Sequence, residues 1–439
     1  MPLLITHSPH KPPHIEGQTR GYGPEIAPEG AIVRPEGEKL TLETDLFATH
    51  PLHVLVRDGH LWAADSLHRL TRMPGVPNGL LPMGICTALC NAPSRRPSLC
   101  ASGLSLLPAT RTVCEGGKIQ TTALGLPDAR RGDMNIAPAD ALSASVHSRA
   151  AAEPHVLFDG PWAEPLLESL RGRDATAWIM ARDGIDVSTL ASRAEQLGAE
   201  PQIVNLPEED LPPLADAAIQ ACETLISDSS AIANFAFFKQ VRAPQMLSAV
   251  GAAELFGDDG LALRDGVPEF VARLQPESEL AHFLLSPEWA KRVQRHDWRK
   301  EFSGKQEEAA RDLLLRTLLP HHTLPELVLT ARASGVEVRT PYLDRAVVAL
   351  RGSPFERRAQ SPKTGTVPLT SRARRNWILW LDARLSFERL ERLEVIDSGK
   401  VRRELIQYGK LHTEAPRRSL LERVFFKLAS LTVLQEYWS

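Results

Sequence analysis

Ser334-Gly335-Val336-Glu337-Val338-Arg339-Thr340-Pro341-Tyr342-Leu343-Asp344 is the stretch whose reading decides the fold. Upstream, Thr323-Leu324-Pro325-Glu326 has the form of a capping box, so a helix is expected to open there and to close at Gly335 in a left-handed turn. An extended segment follows. Pro341 excludes Thr340 from the helical region, and Asp344 is placed to cap a further helix over 345–350 by accepting from its free N–H groups. Glu337, Arg339 and Asp344 alternate with Val336, Val338 and Leu343, which predicts three half-buried charges facing specific partners.

The 439 residues suffice for two or three domains, and 43% hydrophobic with 24% charged residues describes an ordinary globular composition. No stretch approaches the roughly 20 apolar residues of a membrane helix, and Met1-Pro2-Leu3-Leu4-Ile5 lacks a targeting pattern. Five cysteines, an odd number in a long chain, suit a reducing compartment; the expectation is a cytoplasmic protein without a membrane partner. The net charge of −3 conceals a basic segment, 351–427, with eighteen Lys/Arg against nine Asp/Glu. Its cations are scattered without interleaved aromatics, which reads as solvated helix faces and not as a nucleic-acid surface.

Residues 1–30, rich in Pro, Gly and His, read as a poorly ordered arm. His7, His10 and His14 lack the Cys or carboxylate neighbours of a metal site. From Ala31 the pattern is of strands: 39–46 alternates, and 52–57 faces 60–64 across Asp58-Gly59, a hairpin signal. Cys86 and Cys90 could form half a metal site, but without a second pair they read as packing residues. A Pro-, Ala- and Ser-rich stretch, 128–153, is expected to hold a linker and a connecting helix from Ala139. Beyond it, short apolar runs at 155–158, 175–180, 202–206 and 245–250 alternate with helical patterns at 163–171, 187–198, 212–226 and 229–240. That alternation predicts a doubly wound parallel sheet, whose ligand crevice lies beyond the carboxyl ends of the strands, at the turns after Phe158 and Val250.

The 334–344 run resembles the G-V-E-V-R-x-P-F-L-D signature of the asparagine synthetase superfamily. Ser248-Ala249-Val250-Gly251-Ala252-Ala253-Glu254-Leu255-Phe256-Gly257 resembles that family's S-G-x-G-A-D-E-L-F-G. Ser227-Asp228-Ser229-Ser230-Ala231-Ile232 is similar to its D-P-S-x-I-P element, and Lys363-Thr364-Gly365-Thr366-Val367-Pro368 to its K-x-G-F-x-x-P turn. Weaker matches at 45–52, 58–66 and 106–108 resemble its amidotransferase domain. The resemblance implies an α/β and α+β protein. An amidotransferase-like αββα domain, 31–127, precedes a synthetase domain, 128–439, with a doubly wound parallel sheet and a helical C-terminal part. In the last of these, Ser419-Leu420-Leu421-Glu422 is expected to cap an amphipathic helix whose apolar stripe packs on the core.

The resemblance implies a chemistry that the residues contradict. The family hydrolyses glutamine with an N-terminal cysteine, and Pro2 stands here, without a thiol. Where the family has its S-G-G-x-D-S pyrophosphate loop, this chain has Asp159-Gly160-Pro161-Trp162-Ala163-Glu164. Pro161 removes an N–H donor, Ala163 cannot bind magnesium, and Asp159 and Glu164 add negative charge. Ala253 replaces the second magnesium-binding Asp. Asp159, Gly160, Ser248, Gly251, Glu254 and Lys363 are therefore nucleotide-site remnants, and Glu337, Arg339 and Asp344 form a crevice segment. The expectation is a protein with no metal and no cofactor that serves as a scaffold or substrate-presenting partner in peptide natural-product maturation. It would take a peptide or protein partner and hold an anion near Lys363. The alternative is an ATP- and Mg2+-dependent amide ligase or peptide cyclase with a rebuilt site, in which Glu254 and Lys363 are the catalytic candidates.

Overall fold

The computed structural model describes residues 3–8, 11, 13–16, 22–23, 31–57, 60–73, 76–90, 99, 104–106, 108–116, 118–127, 136–182, 187–257, 263–264, 267–293, 307–316, 318–351, 353, 355, 371–411 and 415–439. Pro2, His10, the Asp58-Gly59 turn and the 363–368 turn with Lys363 lie outside them.

The N-terminal part carries β1 (Leu4–His7), β2 (His14–Glu16), β3 (Tyr22–Gly23), β4 (Ala31–Glu36), β5 (Lys39–Glu43), β6 (His53–Arg57) and β7 (His60–Ala64). Helices α1 (Leu67–Thr71) and α2 (Pro82–Leu89) follow, then β8 (Leu104–Ser105), β9 (Thr110–Glu115) and β10 (Lys118–Ala123). They form two five-stranded sheets, ordered β2-β1-β7-β6-β8 and β10-β9-β5-β4-β3, antiparallel except at β3–β4. Ile5, Val54, Leu61 and Ala63 of one sheet share a core with Val33, Leu40 and Leu42 of the other, so the sheets stack face to face. Leu4 and Ala64, on the opposite pleat, pack instead under Leu70 of α1. The 52–57 and 60–64 hairpin forms in register, with Val54 opposite Ala63.

The N-terminal arm expected over residues 1–30 is not uniform. Residues 4–7 form an inner strand between β2 and β7. Three apolar residues in a row, Leu3-Leu4-Ile5, supply buried side chains to both faces, and His7 Nε2 pairs with the Glu38 carbonyl at 2.8 Å.

The second half opens with α3 (Pro138–Arg149), β11 (His155–Leu157), α4 (Glu164–Ser169), β12 (Ala175–Arg182), α5 (Val187–Gln196) and β13 (Ala199–Leu206). It continues through α6 (Ala215–Cys222), α7 (Ser230–Phe238), β14 (Gln245–Leu247), α8 (Ala252–Phe256) and a small hairpin of β15 (Leu263–Arg264) and β16 (Val267–Pro268). Then come α9 (Glu269–Leu284), α10 (Pro287–Arg292), α11 (Glu307–Arg316), α12 (Leu324–Ala333), β17 (Glu337–Arg339) and α13 (Arg345–Ala349). The chain finishes with α14 (Ser371–Arg384), α15 (Phe387–Glu391), α16 (Ser398–Lys410) and α17 (Pro416–Trp438). The third sheet is parallel throughout, in the order β13-β12-β11-β14-β17. From β11 the chain winds outward through β12 to β13, then returns to place β14 on the other side of β11. The switch point therefore falls between β11 and β14, where ligands enter folds of this kind.

Two helix starts differ from the sequence reading. Thr323 does not cap a helix, because Leu319–Thr323 is a π-helical turn that runs straight into α12, with Thr323 itself helical at φ −62°, ψ −48°. Ser419 does not start the last helix, because Pro416 occupies its first turn, where its missing N–H costs nothing. That helix is also no amphipathic stripe: every side chain from Val424 to Leu434 is buried. A carboxylate bridges the two halves. Glu223 accepts from Ser66 Oγ at 2.6 Å and from the Leu67 and His68 N–H groups at 2.6 and 3.1 Å, closing the N-terminus of α1 from across the interface.

Candidate functional site

The crevice at the switch point is built from three turns. After β11, Gly160 leads into a 3-10 turn at Pro161–Ala163 and then α4. After β14, Ser248 turns the chain: its N–H donates to the Arg339 carbonyl at 2.9 Å, and its Oγ accepts from the Val250 N–H at 3.2 Å. Ser248 is thus occupied in joining β14 to β17. Gly251 then takes φ +90°, and a Cβ there would overlap Leu343 Cδ2. The third turn, Pro341–Leu343, is what seats Leu343 in that position.

Aromatic rings fill the space between these turns. The Tyr342 hydroxyl donates to the Trp162 carbonyl at 2.9 Å, and the two rings meet edge-on with centroids 6.4 Å apart. Phe355 lies 6.1 Å from Trp162, 6.1 Å from Tyr342 and 4.9 Å from Phe256. Tyr342 is wholly buried. Such ring contacts stabilise by about 0.5–1.5 kcal/mol each beyond the area they bury. Tyr342 and Phe256 stand in the two family-like motifs, but nothing local in the sequence places Trp162 and Phe355 beside them.

Two acids flank this cluster. Asp159 is exposed at the first turn, with desolvation by the surrounding protein raising its pKa to about 6. Glu254, half-exposed on α8, is raised for the same reason against opposing backbone hydrogen bonds. Neither side chain has an ion-pair partner among the described residues. Glu164 differs from expectation. It turns away to accept from Arg193 Nη2 at 2.6 Å, so its charge does not enter the crevice. Arg311 of α11, which no sequence signal singled out, donates to the carbonyls of Leu255, Gly257 and Glu254 at 2.8, 3.0 and 3.2 Å and so closes the C-terminus of α8.

The charges of the crevice segment find partners within the chain. Glu337 and Arg339, two apart on one face of β17, form an ion pair at 2.6 Å. Asp344 caps α13 by accepting from the Ala346 N–H at 2.8 Å, while its other oxygen accepts from Arg149 Nη2 at 2.9 Å. Arg149, buried at the end of α3, also holds Ser145 Oγ at 2.8 Å, and that hydroxyl donates to the Pro341 carbonyl at 2.8 Å. One helix thereby clamps both ends of the 341–344 turn. Among the described residues, no group of three or more His, Cys, Asp or Glu is placed to hold a metal ion. Cys86 and Cys90 are buried thiols, pushed up to about 11 and about 12 by desolvation. No helix of the described residues is long and apolar enough to cross a membrane.

With the crevice, its two motif loops and the parallel sheet in view, one comparison bears on them. Residues 175–360 match the asparagine synthase family model, so this part of the chain is similar to the ATP-using, amide-bond-forming synthetases of that family. No curated protein matches the chain.

Proposed function

We propose that this chain is a diverged asparagine-synthetase-like protein that binds and presents a peptide or protein partner, in peptide natural-product maturation, without activating a carboxylate with ATP. The observation that carries the reading is the packing at Gly251: Leu343 lies against the glycine whose backbone would otherwise approach phosphate, with Tyr342, Phe256, Phe355 and Trp162 packed alongside. Magnesium triphosphate fits the described residues poorly. Its two protein carboxylates are replaced by Ala163 and Ala253, Pro161 removes a donor from the first turn, and Asp159 adds a carboxyl to that turn. The same features suit a partner that brings positive charge.

An ATP–pyrophosphate exchange assay with the purified chain tests this. The expected result is exchange no faster than the buffer control across a panel of carboxylates and peptides. Exchange above background that is lost in Glu254→Gln and in Lys363→Ala would establish the ligase or cyclase reading instead.

A further inference from the structure

The cations of the basic C-terminal segment are not equally engaged. Arg384 and Arg389 reach Glu436, Arg392 reaches Glu388, Arg417 reaches Glu404, and Arg423 and Lys427 share Glu277. Among the described residues of 371–439, three cations make no hydrogen bond or ion pair: Arg375 on α14, and Arg403 and Lys410 on α16. These two helices share one support. Trp377 and Trp380 of α14 lie 5.1 and 5.5 Å from Phe426 of α17, and Tyr408 of α16 lies 5.7 Å from Phe425.

Arginines tie the pair together at both ends. Arg374, near the start of α14, donates to the carbonyls of Leu411 and Gly409 at 2.7 and 3.2 Å, at the end of α16. Arg402, near the start of α16, donates to the carbonyls of Leu385 and Asp382 at 3.3 and 3.4 Å, at the end of α14, and pairs with the Asp382 carboxylate at 2.8 Å. The helices therefore run antiparallel, and the register set by the two ties brings Leu379 level with Ile406. With the rings turned to α17, helical spacing sends Arg372, Arg375 and Leu379 of α14, and Arg403, Ile406 and Lys410 of α16, to the far side. All six side chains are exposed, Leu379 by 61% and Ile406 by 55%. Arg372 has Glu209 at 3.3 Å, and Asp382, the acid on this side of α14, is already held by Arg402.

We propose that the outer face of α14 and α16 docks an acidic amphipathic helix of another protein, with its apolar side on Leu379 and Ile406 and its carboxylates on Arg375, Arg403 and Lys410. The charge pattern selects this occupant. The register puts Arg375 beside Lys410, where like charges without a counter-ion repel, and a partner's carboxylates relieve that repulsion. A second copy of the same face would set cation against cation. A nucleic acid stacks its bases on aromatic rings between cations, and the centre of this face is aliphatic. An amphipathic helix suits it, because such a helix lays its apolar side along the groove between two others and leaves its charged flanks at the rim. No residue of the switch-point crevice takes part, so the surface does not depend on how that crevice is read.

Fluorescence anisotropy on the full chain with a labelled synthetic helix tests the proposal. The probe carries Leu at helical spacing along one face and Glu on the rest; one control has Ser for each Leu, and the other has Gln for each Glu. The probe should bind, less tightly as salt rises, and each control should bind about tenfold or more weakly. Leu379→Ser with Ile406→Ser, and separately Arg375→Ala with Arg403→Ala and Lys410→Ala, should each weaken the probe about tenfold or more. Both variants should keep the parent's circular dichroism and melting temperature, because all five side chains are exposed. Ile203→Thr, at an exposed apolar position of β13, should leave binding unchanged. No binding of the probe, equal binding of either control, or indifference to either set of substitutions would overturn the proposal. Duplex DNA binding that survives Leu379→Ser with Ile406→Ser would overturn it in favour of a nucleic acid. A dimer in sedimentation that the same double variant dissociates would overturn it in favour of a second copy.

Discussion

At Gly251 the need for glycine is steric on two counts: the backbone is left-handed, and Leu343 occupies the space a side chain would take. Gly251→Ala should therefore lower stability by about 2–4 kcal/mol, combining overpacking with left-handed strain, and chemical denaturation would measure it. A variant as stable as the parent would show that Leu343 does not sit there. Glu277 makes a different residue-scale case. Burial pushes its pKa up, but Lys427 and Arg423 outweigh this and hold it at about 2. Because that value lies below the usual 4.5, the pair stabilises fully above about pH 4.5 and is lost as pH falls toward 2. Glu277→Gln should cost about 3 kcal/mol near neutrality by that difference, with the gap between variant and parent closing in acid. A gap independent of pH would contradict the pairing. The glutaminase position gives a third test. If the proposed loss of the glutaminase nucleophile holds, with no cysteine among residues 1–85, the purified chain should release no glutamate from glutamine, as a coupled glutamate assay would measure.

Among the elements, the turn at Pro341–Leu343 and helix α3 act as one unit. Asp344→Ala removes a helix cap and leaves the Arg149 guanidinium, 1% exposed, without its carboxylate. The expected loss is about 3–5 kcal/mol, seen as a lower denaturation midpoint, while Arg345→Ala on the exposed side should change little. How far this was legible in the sequence depends on the distance along the chain between partners. Periodicity and turn chemistry pointed to the parallel sheet, the β6–β7 hairpin and the cap at Asp344, because each is set by neighbours a few residues away. Arg149 and Asp344 are 195 residues apart, and no local pattern links them. The β1 strand was hidden by scale: four residues inside a Pro- and His-rich stretch carry too little weight against it. The π-turn was hidden by its resemblance to a capping box, since Thr and Glu three apart also occur inside continuing helices. The basic segment shows the same limit. Its charge was legible, but not that Arg384 and Arg389 engage Glu436, Arg402 engages Asp382, and Arg417 engages Glu404.

Across the whole molecule, the proposed reading is of a synthetase-like frame in which rings and alanines, with Asp159, stand where phosphate and magnesium would need donors and ligands. Removing one charge-assisted hydrogen bond to phosphate weakens binding by about 1.5–3 kcal/mol. Two or three such removals move a micromolar site to the millimolar range, since about 1.4 kcal/mol is tenfold. The decisive measurement is calorimetric titration of the purified chain with ATP at millimolar magnesium. The account predicts no site tighter than about 1 mM. A micromolar isotherm, abolished by Lys363→Ala, would contradict it and show that the nucleotide site has been rebuilt.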